Sequence, residues 1–421
     1  MTTKRQVWPA VIFAWGLLIA TCMVTIPFLH QSNHPHLFVA SIAIAAGAYI
    51  RTLCLIDQIS AGCRPALLAC LALAALWRIP LLLKPPTLST DVYRYVWDGR
   101  IQRLGYNPYL VVPGDPAHRE LHTAETRLMN HPGLPTPYPA GAELLFRVVM
   151  AVHESARAMK AAAAICDVGC AAVLLLWLVT FGHNPWLVLA YAWNPLVGLE
   201  GAGNGHVDLF GTLCLVLTAF ALSCGRRTIA ALTLALGIAV KFLPVVLLPI
   251  FWRRIGIRDA ALGLTLLLGL YLPFLNSTRL PVGSLGLYLA GWRVNGPLYS
   301  ALEHILPNAA LLALPIAFGF AVAILARRHW AIDSPETWAW PAAIALLFAP
   351  TVFPWYLLWL TPFLSSRSTL PLAVWSVSAL ATYSLLPRGA ASLIEYGAMA
   401  ITVGWMLARR SDLIFLPVKR E

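Results

Sequence analysis

The sequence predicts an all-α, multi-pass membrane protein, and three observations carry that prediction. Hydrophobic residues fill 59% of the 421 positions and charged residues only 11%, with a mean hydropathy of +0.72, far from the balance of soluble domains. Nearly uncharged runs of spanning length recur from one end to the other. The basic residues sit in pairs at the ends of those runs: Lys4-Arg5, Arg226-Arg227, Arg253-Arg254, Arg327-Arg328, Arg409-Arg410 and Lys419-Arg420. That placement assigns the formal charge of +12 to cytoplasmic topology anchors rather than to a nucleic-acid surface, for which no interleaving of basic and aromatic residues is visible.

Taken in order, the expected spans begin with Trp8–Leu29, too long for the core of a signal peptide and without a convincing small-residue cleavage site. Leu37–Ile56 and Ala66–Leu83 follow, then Ala161–Phe181, Val207–Cys224, Leu262–Leu275, Ala309–Ala326, Thr369–Leu386 and Ala390–Ala408. With broken segments counted, about 11–13 crossings are expected in a single membrane domain covering 1–421. The eight Cys have neither CxxC pairs nor metal-ligand spacing and read as packing residues.

If the N-terminus is cytoplasmic, three crossings put residues 85–140 outside. A loop of that length holding Asp91, Asp98, Asp115, Glu120 and Glu125 is more than a connector. Its core is "TDVYRYVWDGRIQRLGYNPY", Thr90 to Tyr109. Ser89 or Thr90 suits an N-cap, Asp91 a first turn and Gly105 a stop, so residues 90–104 are expected to be helical. At 100° per residue Asp91, Tyr95, Asp98 and Gln102 share one face, with Arg94 at its margin. Tyr93, Val96, Trp97 and Ile101 lie opposite. The expectation is an amphipathic helix on the outer membrane surface, its acidic face turned from lipid. Two carboxylates seven residues apart with an Arg between them suit either acid–base work or a plain solvated face.

Beyond the loop the parity is open: Ala142–Val152 either crosses or lies at the interface, and Trp186–Gly201 then either crosses or dips part-way. Two later stretches are broken near their midpoints, 229–252 at Lys241 and Pro244 and 338–364 at Pro350 and Pro354. Breaks at membrane depth are tolerated where they line a cavity, so two pairs of half-helices facing a cavity are expected.

Further polar groups stand against apolar runs in "NHPGLPTPYP" (Asn130–Pro139), "EGAGNGHVD" (Glu200–Asp208) and "GWRVNGPLY" (Gly291–Tyr299). Ionisable groups at such positions mark a site. Asn204, His206 and Asp208 lie close in sequence, but one His with one or two carboxylates on one short segment is weak metal chemistry, and no metal is expected. The "NST" at Asn276 is only a sequon match.

The Thr90–Tyr109 block, with "HPGLPTPYP", "WNPLVGLEGAGNGHVD", "KFLPVVLLP" and "PWYLLWLTP", resembles the integral-membrane GT-C superfamily of glycosyltransferases. It is most similar to the bacterial mannosyltransferases that use polyprenyl-phosphate-mannose. The similarity runs from about Leu83 to Pro362. It implies an inverting transfer from a polyprenyl-phosphate-linked sugar to a glycan or lipid acceptor, with no other cofactor. The site would lie on the extracytoplasmic side of the inner (plasma) membrane, with a catalytic Asp in the first large external loop, at Asp91. Two features depart from the family pattern: three spans precede the loop instead of one, and the usual acidic doublet is reduced to Thr90-Asp91.

On that reading Asp91 is the general base, Arg94 holds it ionised or meets phosphate, and Asp98 orients the acceptor. Lys241 is the first candidate for the donor phosphate, followed by Arg293 and His206. Tyr138, Trp355 and Tyr356 are candidate sugar-stacking faces, although an interfacial aromatic belt would explain them as well. The rival class is a transporter or lipid flippase, which would also carry broken helices and intramembrane charges; the absence of an internal repeat and the acidic external loop weigh against it.

Overall fold

A computed structural model describes residues 8–29, 34–59, 62–276 and 280–409. The terminal basic pairs Lys4-Arg5 and Lys419-Arg420, Arg410, and the last two residues of the sequon lie outside the described residues. Among these residues the fold is entirely helical apart from one isolated parallel bridge, Val294 to Thr351.

Helix α1 (Pro9–Thr25), α2 (Pro35–Ile56) and α3 (Arg64–Leu83) each begin with proline in the first turn, where its missing N–H costs nothing. Among the described residues seven helices are long and apolar enough to cross a membrane: α1 with its following turn, α2, α3, α6 (Ala156–Thr180), Ile257–Phe274, Asn308–His329 and Arg388–Ala408. The remaining apolar runs fold as shorter pieces. Asp208–Ser223 and Arg227–Val240 have 16 and 14 residues, about 24 and 21 Å of rise.

Close contacts and buried polar pairs lock these helices together. A side chain at Gly16 of α1 would collide with the indole of Trp193 at 2.3 Å, and that indole donates to the carbonyl of Cys70 on α3 at 3.1 Å. Arg78 of α3 and Asp167 of α6 form a buried ion pair at 2.5 Å, each charge answering the other where neither has water.

Between α6 and Asp208 the chain forms no helix of spanning length. Residues 185–203 form short buried turns, two of them capped by Asn184 and Asn194, which accept the N–H of Trp186 and Leu196, and end in a π-turn at Leu199–Gly203. Irregular backbone of this kind persists because protein surrounds it.

The long stretch between α3 and α6 holds α4 (Asp91–Arg103) and α5 (Ala140–Val152). Helix α4 starts and stops where the cap and Gly105 predict, with Gly105 at φ +88°. Its environment differs from the expectation. Ten of its 13 residues are buried, and Val92, Val96, Trp97 and Ile101 face protein, not lipid; of its apolar residues only Leu104, just past its end, is exposed. The helix is wrapped by α5, α6 and the loop at 126–128, so both its polar and apolar faces are interior. Helix α5 has 13 residues, about 20 Å, too short to span a bilayer core of about 30 Å, and lies against α4.

Candidate active site

The N-terminus of α4 opens onto a cavity of about 600 Å³, a size that takes a small ligand. Its wall comes from five separate stretches: residues 87–95, 130–139, 240–243 with Asp208, 284–292 and 346–359. Asp91, Arg94, Tyr138, Lys241, Trp355 and Tyr356 all line it. Asp98, His206 and Arg293 do not, although all three stand near it.

Asp91 is the first residue of α4, where a carboxylate complements the helix dipole. Its N–H reaches the Ser89 hydroxyl at 3.2 Å, and its Oδ1 accepts from Nδ2 of Asn130 at 2.6 Å. Asn130 begins the proline-rich return. The next residue, His131, holds a left-handed φ of +48° and packs its ring edge-to-face on Trp292, 4.9 Å between centroids.

Arg94 has a structural engagement. Its Nε donates to both oxygens of Asp98 at 3.0 and 2.9 Å and its Nη1 to the carbonyl of Leu134 at 2.9 Å, fastening the proline-rich segment to α4. Its Nη2 is buried with no hydrogen-bond partner. Asp98, 0% exposed, sits behind the wall in a second cluster rather than at an acceptor. Glu143 of α5 accepts there from Thr136 at 2.6 Å and Gln102 at 2.8 Å. Burial pushes the Asp98 carboxyl above the usual range against the pull of Arg94. Glu143 is pushed well above it by burial and then by Asp98.

Across the cavity, the helix Arg227–Val240 ends at Lys241 in extended backbone, and a short turn follows at Leu243–Leu247. Pro244 lacks the N–H that would continue the ladder. Lys241 Nζ lies 2.6 Å from Oδ1 of Asp208 and 3.5 Å from the ring centroid of Tyr356. The same Oδ1 accepts from Nε1 of Trp359 at 2.8 Å. Tyr356 shares a short hydrogen bond with Tyr288.

His206 is fully buried beneath the floor. Its Nε2 is 3.2 Å from Glu200 and its Nδ1 is 3.4 Å from the Tyr95 hydroxyl. Its ring stacks on Trp355 at 4.2 Å, and Trp355 stacks on Phe353 at 4.5 Å. A histidine enclosed in this way supports the aromatic wall and has no access to a phosphate. Glu200 also accepts from Tyr383 at 2.6 Å and Asn204 at 2.9 Å, and Asn204 in turn receives the N–H of Leu88 at 3.2 Å, so the carboxylate reaches the stretch that carries Asp91. Asn204, His206 and Asp208 therefore point to different partners. Among the described residues no group of three or more His, Cys, Asp or Glu is arranged to hold a metal. Arg293 is at the rim, half-exposed, 3.8 Å from Glu303 and over the ring of Tyr299.

Asp208, Asn130 and Tyr288 were not among the sequence candidates. The carboxylate in "GNGHVD" is visible in the sequence, but nothing local shows that Asp208 meets a lysine 33 residues on.

The cavity joins an acidic pole at Asp91 to a cationic pole at Lys241 through a wall of aromatic faces. A carboxylate, a cation and stacking rings are the parts a sugar transfer requires. The comparisons with known proteins agree. The chain is 24% identical over 410 residues to alpha-(1->6)-mannopyranosyltransferase A of Mycobacterium tuberculosis (strain ATCC 25618 / H37Rv), covering 81% of this chain and 75% of that relative. No solved structure matches. The profile of the MptA_B family, described as the alpha-(1->6)-mannopyranosyltransferase N-terminal domain, matches residues 13–255, more than half of the chain. A multi-pass helical protein with such a cavity thus belongs to the MptA_B family of GT-C mannosyltransferases.

Proposed function

We propose that the chain transfers mannose from a polyprenyl-phosphate carrier to the 6-hydroxyl of a mannose in an extracytoplasmic glycan or glycolipid, with inversion at C1 and Asp91 as general base. The α-(1→6) linkage is carried over from the relative's name; inversion then requires a β-linked donor. The observation that carries the reading is the shared lining of one cavity by Asp91 and Lys241, 150 residues apart in sequence.

In the step, the acceptor oxygen attacks C1 while the bond from C1 to the phosphate oxygen breaks and its electron pair leaves on the phosphate. The acceptor proton passes to the Asp91 carboxylate. Asn130 orients that carboxylate through one oxygen, and Lys241 meets the charge that grows on the departing phosphate. Tyr356 offers the sugar a ring face, and Trp355, stacked on His206 and Phe353, offers its edge. A lipid-borne donor is supported by the apolar part of the lining: Phe242 and Leu289 both line the cavity and stay 42% and 41% exposed, an apolar path for a prenyl chain.

An extracytoplasmic site at the inner (plasma) membrane is supported by one helix. Arg227–Val240 carries its basic pair at one end and reaches the cavity at the other, about 20 Å away. If the Arg pair is cytoplasmic, that rise sets the cavity beyond the midplane of a bilayer core of about 30 Å, toward the opposite side.

The test is transfer in proteoliposomes from radiolabelled polyprenyl-phosphate-mannose to a mannan-type acceptor. Wild type is expected to transfer, and Asp91→Asn to lose transfer while retaining fold and donor binding. Equal transfer by both would remove Asp91 from the role of base, and no transfer by the folded wild type from any lipid-linked mannose would sink the donor assignment.

A further inference from the structure

Lys241 already has a partner. Its ammonium shares Oδ1 of Asp208 with the indole N–H of Trp359. Both line the cavity, but the Asp208 side chain is 2% exposed and that of Lys241 24%, so the lysine presents the larger surface to it. Asp208 opens the helix Asp208–Ser223, where the dipole favours a negative charge, and Trp359 fixes its position. The other strong cation in the lining, Arg94, is held by Asp98. Apart from His131, the lining therefore offers an anion no cation that lacks a carboxylate, and Asp91 adds one more negative charge.

This arrangement suits weak rather than tight phosphate capture. A polyprenyl-phosphate sugar is a phosphodiester with one negative charge. The polyprenyl phosphate left after transfer is a monoester, which approaches two charges near neutral pH because its second pKa is about 6. An unshared lysine would hold the product more firmly than the substrate, since attraction grows with the charge it meets.

We propose that Asp208 is a resident counter-ion that competes with phosphate for Lys241, and that its role is release of the polyprenyl phosphate product. The inference rests on the reading above, in which Lys241 meets the phosphate. As the C1–O bond breaks and the electron pair settles on the phosphate, Lys241 turns from Asp208 toward the growing charge. Asp208 then recovers the ammonium, and the product leaves a wall that again offers it no unshared cation.

The experiment measures binding of polyprenyl phosphate alone, and steady-state transfer, for the full chain in proteoliposomes. Wild type is compared with Asp208→Asn, Lys241→Met and the double variant. Asp208→Asn keeps an oxygen for Trp359 and is expected to bind polyprenyl phosphate at least about tenfold more tightly, with KM and kcat both lowered. The double variant is expected to bind no more tightly than Lys241→Met. A gain in product affinity is something a folding defect does not produce. If Lys241→Met loses binding while folded Asp208→Asn binds no more tightly than wild type, the counter-ion role is wrong and the phosphate assignment stands. If Lys241→Met binds as well as wild type, both fall. Wild type alone supplies a check that needs no variant: polyprenyl phosphate and its monomethyl ester are expected to bind within about threefold of each other at pH 7.5. A tenfold preference for the monoester overturns the proposal.

Discussion

Asn130 and Asp91 sit on the two flanks of the loop that follows α3, 39 residues apart, and meet at 2.6 Å between amide nitrogen and carboxylate oxygen. The contact closes the loop over its own first helix and fixes the rotamer of the carboxylate at the cavity mouth. Removing the base and removing its holder are expected to differ in degree. Asp91→Asn should lower kcat by about 10²-fold or more, the usual contribution of a positioned general base. Asn130→Ala should lower it about tenfold, one hydrogen bond to a charged group. Transfer assays at saturating donor separate the two.

At Gly99 the backbone of α4 packs directly against α5. A Cβ there would lie 2.5 Å from the carbonyl oxygen of Phe146 and from Cγ of Met150. Gly99→Ala is expected to push the helices apart, costing about 1–3 kcal/mol, and to reduce transfer although no residue of the cavity lining changes. A lowered apparent Tm in detergent, with a lowered kcat, is the signature.

Behind the wall, Glu143 holds its proton more tightly in the folded protein than in the unfolded chain, because burial and Asp98 both raise its pKa. The folded state thus binds more protons, and this stabilisation is complete below the ordinary carboxylate pKa of about 4.3 and is lost as pH rises through the raised value. Wild type should melt at a higher temperature at pH 5.5 than at pH 8. Glu143→Gln, neutral at every pH and still able to accept from Thr136, should flatten that slope, which melting curves across the range would reveal.

Trp355 is held between His206 and Phe353, with interplanar angles of 13° and 4°. If it presents its remaining surface to the sugar, Trp355→Ala should raise KM about tenfold, while Trp355→Phe keeps most of the stack and most of the affinity. Arg293→Ala, by contrast, removes a rim pair at 3.8 Å and should change KM and kcat by less than about twofold, as exposed pairs contribute little.

The bounds of α4 could be read from Ser89-Thr90-Asp91 and from Gly105, because caps and a left-handed stop are local chemistry. Its surroundings could not. Val96, Trp97 and Ile101 are apolar whether they meet lipid or protein, and a hydrophobic pattern does not distinguish the two. Asp91, Lys241 and Trp355 stand out in the sequence as polar or aromatic groups against apolar runs, and the cavity contains all three. The pairings are another matter: Arg94 to Leu134, Lys241 to Asp208 and Glu200 to Tyr383 join residues 33 to 183 positions apart, and one sequence without its fold carries no sign of such partners. For that reason Arg94 and His206, singled out for charge and for a possible phosphate, are engaged in holding the wall.

The wall of the cavity is drawn from residues 87 to 359, and its support extends to Tyr383, which donates to Glu200, and to Glu395, which accepts from Asn295 at 2.5 Å. During synthesis the ribosome delivers Asp91 and Asn130 long before their opposite wall exists. The first three helices and the loop after them precede in synthesis the last quarter of the chain, which completes the chamber. A nascent chain stopped short of residue 350 would carry Asp91, Asp208 and Lys241 but none of Phe353, Trp355, Tyr356 and Trp359, so its chamber would lack the aromatic wall.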